Sequence, residues 1–284
     1  MKHAFFLLSI FLLFSPAPAT GLDEAVKLFE NKEYEHARRV LEAILKQDED
    51  NAAACYYLAR IHYGKKDYDT ALDYAERAVE LKPSIAEYHF VYANVMGAIA
   101  QKANVFKQGW LAPKILEQFE KTIELDSTHI GGHIGAANFY LMAPGFMGGD
   151  IGKAREQAFT LLRLGSEKGR WLLIAIYKKE GRFEKVEEQY DLLVKSFPDS
   201  GGRPGLFNDY GYYLLKRGKK RKALKMFKRL VSLTPDVANS YDSLGDGYRA
   251  LGDVDSALIN YRKALSLDPG FEASSKKISE LETH

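Results

Sequence analysis

Two histidines, His129 and His133, stand four residues apart, the spacing at which imidazoles on one helical face can share a metal ion. No third ligand follows at a matching spacing, and Gly131-Gly132 weakens a helix between them, so no metal is expected. A second feature is the stretch Met142 to Ala154, MAPGFMGGDIGKA. Gly148-Gly149 ahead of a helix could turn backbone N–H groups toward an anion. No Lys-Ser/Thr pair follows, and Asp150, a good N-cap, competes for the same groups, so a structural cap is expected there. Phe146 and Met147 become a contact patch if the tip is exposed. No Ser-His-Asp order, nucleotide loop or acidic pair stands out. The chain is therefore expected to be non-catalytic and to carry no cofactor.

The third chemical feature is charge. Nine bases crowd into residues 214–230, LLKRGKKRKALKMFKRL, with no acid among them. Lys219, Lys220, Arg221 and Lys222 at its centre are a candidate patch for an anionic partner, held by summed field and weakened by salt. A solvated face is the plain alternative.

Which anions are available depends on compartment. Lys2 and His3 precede the apolar run Ala4 to Phe14, and Ala17-Pro18-Ala19 offers small residues where a signal peptidase reads. Residues 1–19 are thus expected to be a secretory signal cut after Ala19, and the mature chain to be exported, periplasmic or secreted. No other stretch approaches the roughly 20 apolar residues of a membrane span, so no integral segment is expected after cleavage. Cys55 is the only cysteine, which rules out an intrachain disulfide and leaves no lipid-anchor cysteine near the cleavage point. For an exported protein the anions are lipid headgroups, surface polymers and acidic proteins. Nucleic acid is a poor candidate, and peripheral contact with anionic surfaces is the reading the patch allows.

These side chains must be positioned by helices. The 284 residues are 46% hydrophobic and 27% charged with a net charge of +2, which suits a soluble helical protein and excludes a disordered one. In the stretch from Ser240 to Pro269, Tyr241, Leu244, Gly245 and Tyr248 fall at i, i+3, i+4 and i+7. Ala257, Tyr261, Ala264 and Leu265 repeat the stripe after Gly252-Asp253, and Pro269 stops it. Gly245 and Ala257 are small where two helices must approach, and the tyrosines are large where space must be filled. The spacing recurs: Pro235 lies 34 residues before Pro269, Ala223 lies 34 before Ala257, and Ala37 lies 34 before Ala71.

These residues resemble the tetratricopeptide repeat (TPR), whose signature is an aromatic, a Leu-Gly pair, a Tyr, spaced Ala flanking an aromatic, and a closing Pro. The resemblance implies an all-α fold, a right-handed superhelical solenoid of about seven helix-turn-helix units. They fall near 20–51, 52–85, 86–129, 130–166, 167–203, 204–237 and 238–271, with 272–284 as a capping tail. The fifth unit, carrying Trp171, Tyr177, Val186, Tyr190 and Pro198, is the weakest. His62 and His89 occupy packing places, and Cys55 replaces the aromatic of its repeat. The third and fourth units carry insertions, at Gly97 to Pro113 and Ala143 to Asp150, read as loops between the helices of adjacent units and expected to lie close together on one rim.

In such arrays the first helix of each pair lines a concave groove that commonly holds peptide segments. One step round from the packing stripe this gives Tyr56, Arg60, Phe90, Asn94, Ile134, Asn138, Trp171, Asn208 and Tyr212, in register with Asp242 and Asp246. Asn carries both donors and an acceptor, so a row of Asn can pair with a peptide backbone whatever its side chains. Tyr56, Phe90 and Trp171 add apolar contact area. The expected function is a protein-protein interaction scaffold of the cell envelope, holding a peptide or helix of a partner protein. The alternative is a small-molecule-binding accessory component of a transport system, with the middle insertions narrowing the array into a pocket or pore.

Overall fold

The computed structural model describes residues 20–197 and 201–283; the segment read as a signal, 1–19, and Pro198 lie outside them. Among the described residues every regular element is helical, with fifteen α-helices and one short 3-10 turn. The chain forms two compact units, one ending at Leu172 and the other beginning at Leu173.

The first unit holds α1 (Thr20–Glu30), α2 (Tyr34–Gln47), α3 (Ala52–Gly64), α4 (Tyr68–Leu81), α5 (Ala86–Lys102), α6 (Val105–Leu125), α7 (Ile130–Met142) and α8 (Ile151–Arg163). They pack as antiparallel hairpins, α1 on α2, α3 on α4, α5 on α6 and α7 on α8, and each hairpin packs on the next. Small residues set the approach: Ala71, Ala75 and Ala78 of α4 are buried along one stripe, as are Leu58 and Ala59 of α3. Side-chain caps fix several starts. Asn51 accepts from the Ala54 N–H, Asn104 from Lys107 and Asp150 from Lys153.

α9 (Lys168–Lys179) contains the division. The second unit continues with α10 (Phe183–Lys195), α11 (Pro204–Lys216), α12 (Lys220–Leu233), α13 (Ala238–Leu251), α14 (Val254–Leu267) and α15 (Glu272–Glu282). Tyr190 and Tyr210 are buried here and stack at 4.6 Å between centroids.

Several turns within hairpins use a left-handed residue to reverse the chain in few steps. Gly218 (φ 73) and Gly252 (φ 83) supply it in the second unit, whereas Lys32 (φ 65) and Lys66 (φ 63) do so in the first.

The insertions differ from their reading as loops between adjacent units. Both lie inside a hairpin, between its first and second helix. Residues 97–113 are almost entirely helical: α5 runs for 17 residues and α6 for 21, with only Ala103-Asn104 between them. Packing of α5 on α6 carries both helices through the segment, and Pro113 is accommodated within α6. Residues 143–150 form a compact turn around the 3-10 segment Gly145–Met147. The two insertions do meet: a Cβ placed on Gly109 would lie 3.6 Å from the Met147 methyl.

Candidate functional site

Two adjoining cavities follow the first helices of the hairpins in the first unit. One of about 690 Å³ is lined by Phe29, Tyr34, Arg60, Glu87, Phe90 and Asn94, among others. The next, of about 430 Å³, is lined by Asn94, Gly97, Phe119, Asn138, Met142 and Met147, among others. Tyr63 and Asn94 belong to both, so the two form one cleft across α3, α5 and α7.

The wall is held by a polar chain crossing three hairpins. Arg60 lies over the Phe29 ring at 4.6 Å and donates to the Tyr56 hydroxyl at 2.7 Å. Tyr56 in turn donates to one Glu87 oxygen at 3.1 Å. The other Glu87 oxygen meets Nε2 of His129 at 2.9 Å, while Nδ1 of His129 accepts from the Gly132 N–H and caps α7. Accepting at Nδ1 requires the proton on Nε2, so His129 donates to Glu87. Burial of Tyr56, reinforced by the Glu87 charge, pushes its phenol well above the ordinary value. It stays a neutral donor.

The sequence-predicted residues divide by place. Arg60, Phe90, Asn94 and Asn138 line the cleft, and Tyr56 lies buried beneath it. Asn94 donates to the Phe90 carbonyl, whereas Asn138 is exposed and makes no side-chain hydrogen bond among the described residues. Ile134 is half-buried and lines neither cavity, and Trp171 sits half-buried beside the division in α9. In the second unit the same stripe is occupied by the chain itself. Asn208 accepts from Ser243, Tyr212 donates to Asp246, and Asp242 and Asp246 are bridged by Lys277 of α15.

Tyr63, Glu87 and Gly97 are not among the sequence-predicted groove residues, which stand at most two to a helix. Extending each stripe by one turn finds them: Tyr63 lies seven after Tyr56, Glu87 three before Phe90, and Gly97 three after Asn94.

The other candidates resolve into structural roles. His133 is buried, with Nε2 at 2.9 Å from the Ser127 carbonyl and Nδ1 at 2.6 Å from the Gln157 amide. His89 is held in the same way by Pro83 and Gln118. His129 and His133 therefore face different partners, and no cluster of three metal-ligating side chains occurs among the described residues. The Gly148, Gly149 and Asp150 N–H groups bond to Gly145, Pro144 and Tyr140 carbonyls and are not free for an anion. The basic run is partly neutralised from α10: Lys219 and Lys222 both pair with Glu187, and Lys222 also with Asp191, while Lys220 and Arg221 stay exposed.

Family models described as tetratricopeptide repeat match residues 22–84 and 238–271. Superkiller complex protein 3 of Mus musculus is 26% identical over 251 residues, covering 87% of this chain but 15% of that protein. The chain thus spans a small part of that relative. Among solved structures, a tetratricopeptide repeat protein from Parabacteroides merdae is 14% identical with a TM-score of 0.60, covering 93% of this chain and 98% of the other. The C-terminal part of a TPR repeat-containing protein from Cytophaga hutchinsonii is 15% identical with a TM-score of 0.65, covering 90% and 98%. At these identities the likeness is one of fold.

Proposed function

We propose that this chain, a tetratricopeptide-repeat protein and hence a protein-interaction scaffold, holds an extended segment or helix of its partner in the cleft of the first unit. The observation that carries this reading is the continuity of the two cavities through Tyr63 and Asn94. The Arg60 guanidinium makes no ion pair among the described residues and can take a carboxylate or carbonyl of the bound segment. Asn138 offers unspent donors and an acceptor, and Phe90, Phe119 and Met142 offer apolar contact. The second unit contributes less, since its stripe is already satisfied within the chain. Export to the cell envelope belongs to the same proposal and rests on residues 1–19.

One feature favours a second reading, a small apolar ligand. Both insertions wall the 430 Å³ cavity, whose size falls in the range of small-molecule sites.

Gly97 provides the test. It lies within α5 on the cavity wall, and nothing stands within 4 Å of a Cβ placed there. Gly97→Trp therefore fills the cleft without overpacking the core. A photo-crosslinking probe at Asn138, used in cells, is expected to capture a discrete protein, and Gly97→Trp to abolish the adduct with an unchanged melting temperature. No protein adduct at Asn138 would sink the peptide reading, and a small molecule co-purifying with the wild type but not with Gly97→Trp would replace it with the second.

A further inference from the structure

The largest exposed apolar side chains of the first unit gather on or beside the two insertions. Phe106 is 90% exposed, Phe146 84%, Met142 79%, Val105 66% and Trp110 61%. Phe106 and Trp110 lie at i, i+4 on the first turns of α6, and the Gly109–Met147 contact ties that helix to the turn carrying Phe146. Burying each ring in water's place would be favourable, yet the fold leaves them out.

Along the stretches of chain that carry them the charges are basic, and acids lie on the next turns of α6. Between positions 88 and 116 there are three lysines, Lys102, Lys107 and Lys114, and no carboxylate. Positions 127–149 hold no Asp, Glu, Lys or Arg. Lys114 places its ammonium 4.0 Å from the Trp110 ring, and Lys102 places its own over Tyr68 at 4.7 Å. The carboxylates of Glu117 and Glu120 line the cleft between α6 and the Phe146 turn, and Glu120 accepts from the Tyr140 hydroxyl.

From this juxtaposition we propose that the tip formed by Phe106, Trp110 and Phe146 docks peripherally on an anionic phospholipid surface. Aromatic rings suit the boundary between headgroups and acyl chains, and lysines flanking them reach lipid phosphates. A second copy of the chain is the poorer occupant, because a two-fold contact would bring the three lysines against themselves. No described helix is long and apolar enough to cross a bilayer, so contact is confined to the surface. The tip is distinct from the Lys219–Lys222 patch, where two of four charges are already paired within the chain.

The test uses the purified chain with vesicles of phosphatidylcholine alone or mixed equally with phosphatidylglycerol. Co-sedimentation is expected with the mixed vesicles only, weakened by salt. In a Trp171→Phe background, which leaves Trp110 as the sole tryptophan, emission is expected to move to the blue on binding. The Phe106→Ser/Phe146→Ser variant changes only exposed side chains and keeps the fold, checked by circular dichroism. Its partition coefficient is expected to drop by about tenfold or more. Gly97→Trp should bind vesicles like the wild type, which keeps this proposal separate from the cleft. Absence of binding to mixed vesicles, or equal binding by the double Ser variant, overturns it. So does a concentration-dependent dimer abolished by the same substitutions, which would make a second copy the occupant.

Discussion

Gly245 and Tyr261 meet so closely that a Cβ on the glycine would stand 2.4 Å from Cε1 of the ring. Tyr261 is buried, and its hydroxyl donates to Asp246 at 2.8 Å, so the ring cannot withdraw without losing that bond. Gly211 meets Phe227 in the same way in the preceding hairpin. Gly245→Trp is therefore expected to lower the melting temperature sharply. Even Gly245→Ala should cost about 1–3 kcal/mol from overpacking, despite alanine's better helix propensity. Calorimetry on both variants checks this, and an unchanged transition would show that the hairpin does not close on this contact.

Lys66 holds a left-handed backbone, φ 63, at a turn place that Gly218 and Gly252 fill in the second unit. A side chain pays a steric cost in that region that glycine avoids. Lys66→Gly is expected to stabilise the chain by about 0.5–1 kcal/mol, the steric relief being offset in part by glycine's freedom in the unfolded state. The readout is the urea midpoint at unchanged slope.

Glu187 links stability to acid. Burial pushes its carboxyl up, but hydrogen bonds from Lys219 and Lys222 outweigh it, and the group lies below its ordinary value of 4.5. A depressed acid stabilises the fold fully above its unfolded-chain value and loses that contribution as pH falls through the folded one. Glu187→Gln is expected to melt lower than the wild type at neutral pH, with the gap narrowing once pH falls below about 4.5. Melting curves of both proteins across that interval check it; a constant gap would mean the lysines do not hold the carboxylate.

The repeat was legible because its determinants are local. The small residues Gly245, Ala257, Ala71 and Ala75 mark close helix approach, and proline marks the ends. The insertions were not, because the segment Gly97 to Pro113 contains Gly and Pro, which read as a loop, while the packing of α5 on α6 carries both helices through them. Of the cleft, Arg60, Phe90, Asn94 and Asn138 follow from helical register alone. Glu87 and His129 gain their roles only when three hairpins stack, at separations of 31 and 42 residues. In the second unit, register alone could not show that the chain's own Lys277 occupies the stripe.

Lys277 reaches back from α15 to Asp242 and Asp246 at 2.8 Å, and Ser274 donates to Asp242 at 2.7 Å. Asp242 is buried on α13, and these two side chains are its donors. Lys277→Met removes one and leaves the carboxylate short of a partner, at a cost of at least about 1–3 kcal/mol. Adding Asp242→Asn removes the stranded charge, and the double variant is expected to recover part of that loss, because pair and penalty disappear together. Chemical denaturation of the two singles and the double gives the coupling energy. Additive losses would mean that α15 is held by its apolar contacts on α14 and not by the ion pair. A coupling of the expected sign makes α15 the element that satisfies the last hairpin's inner face.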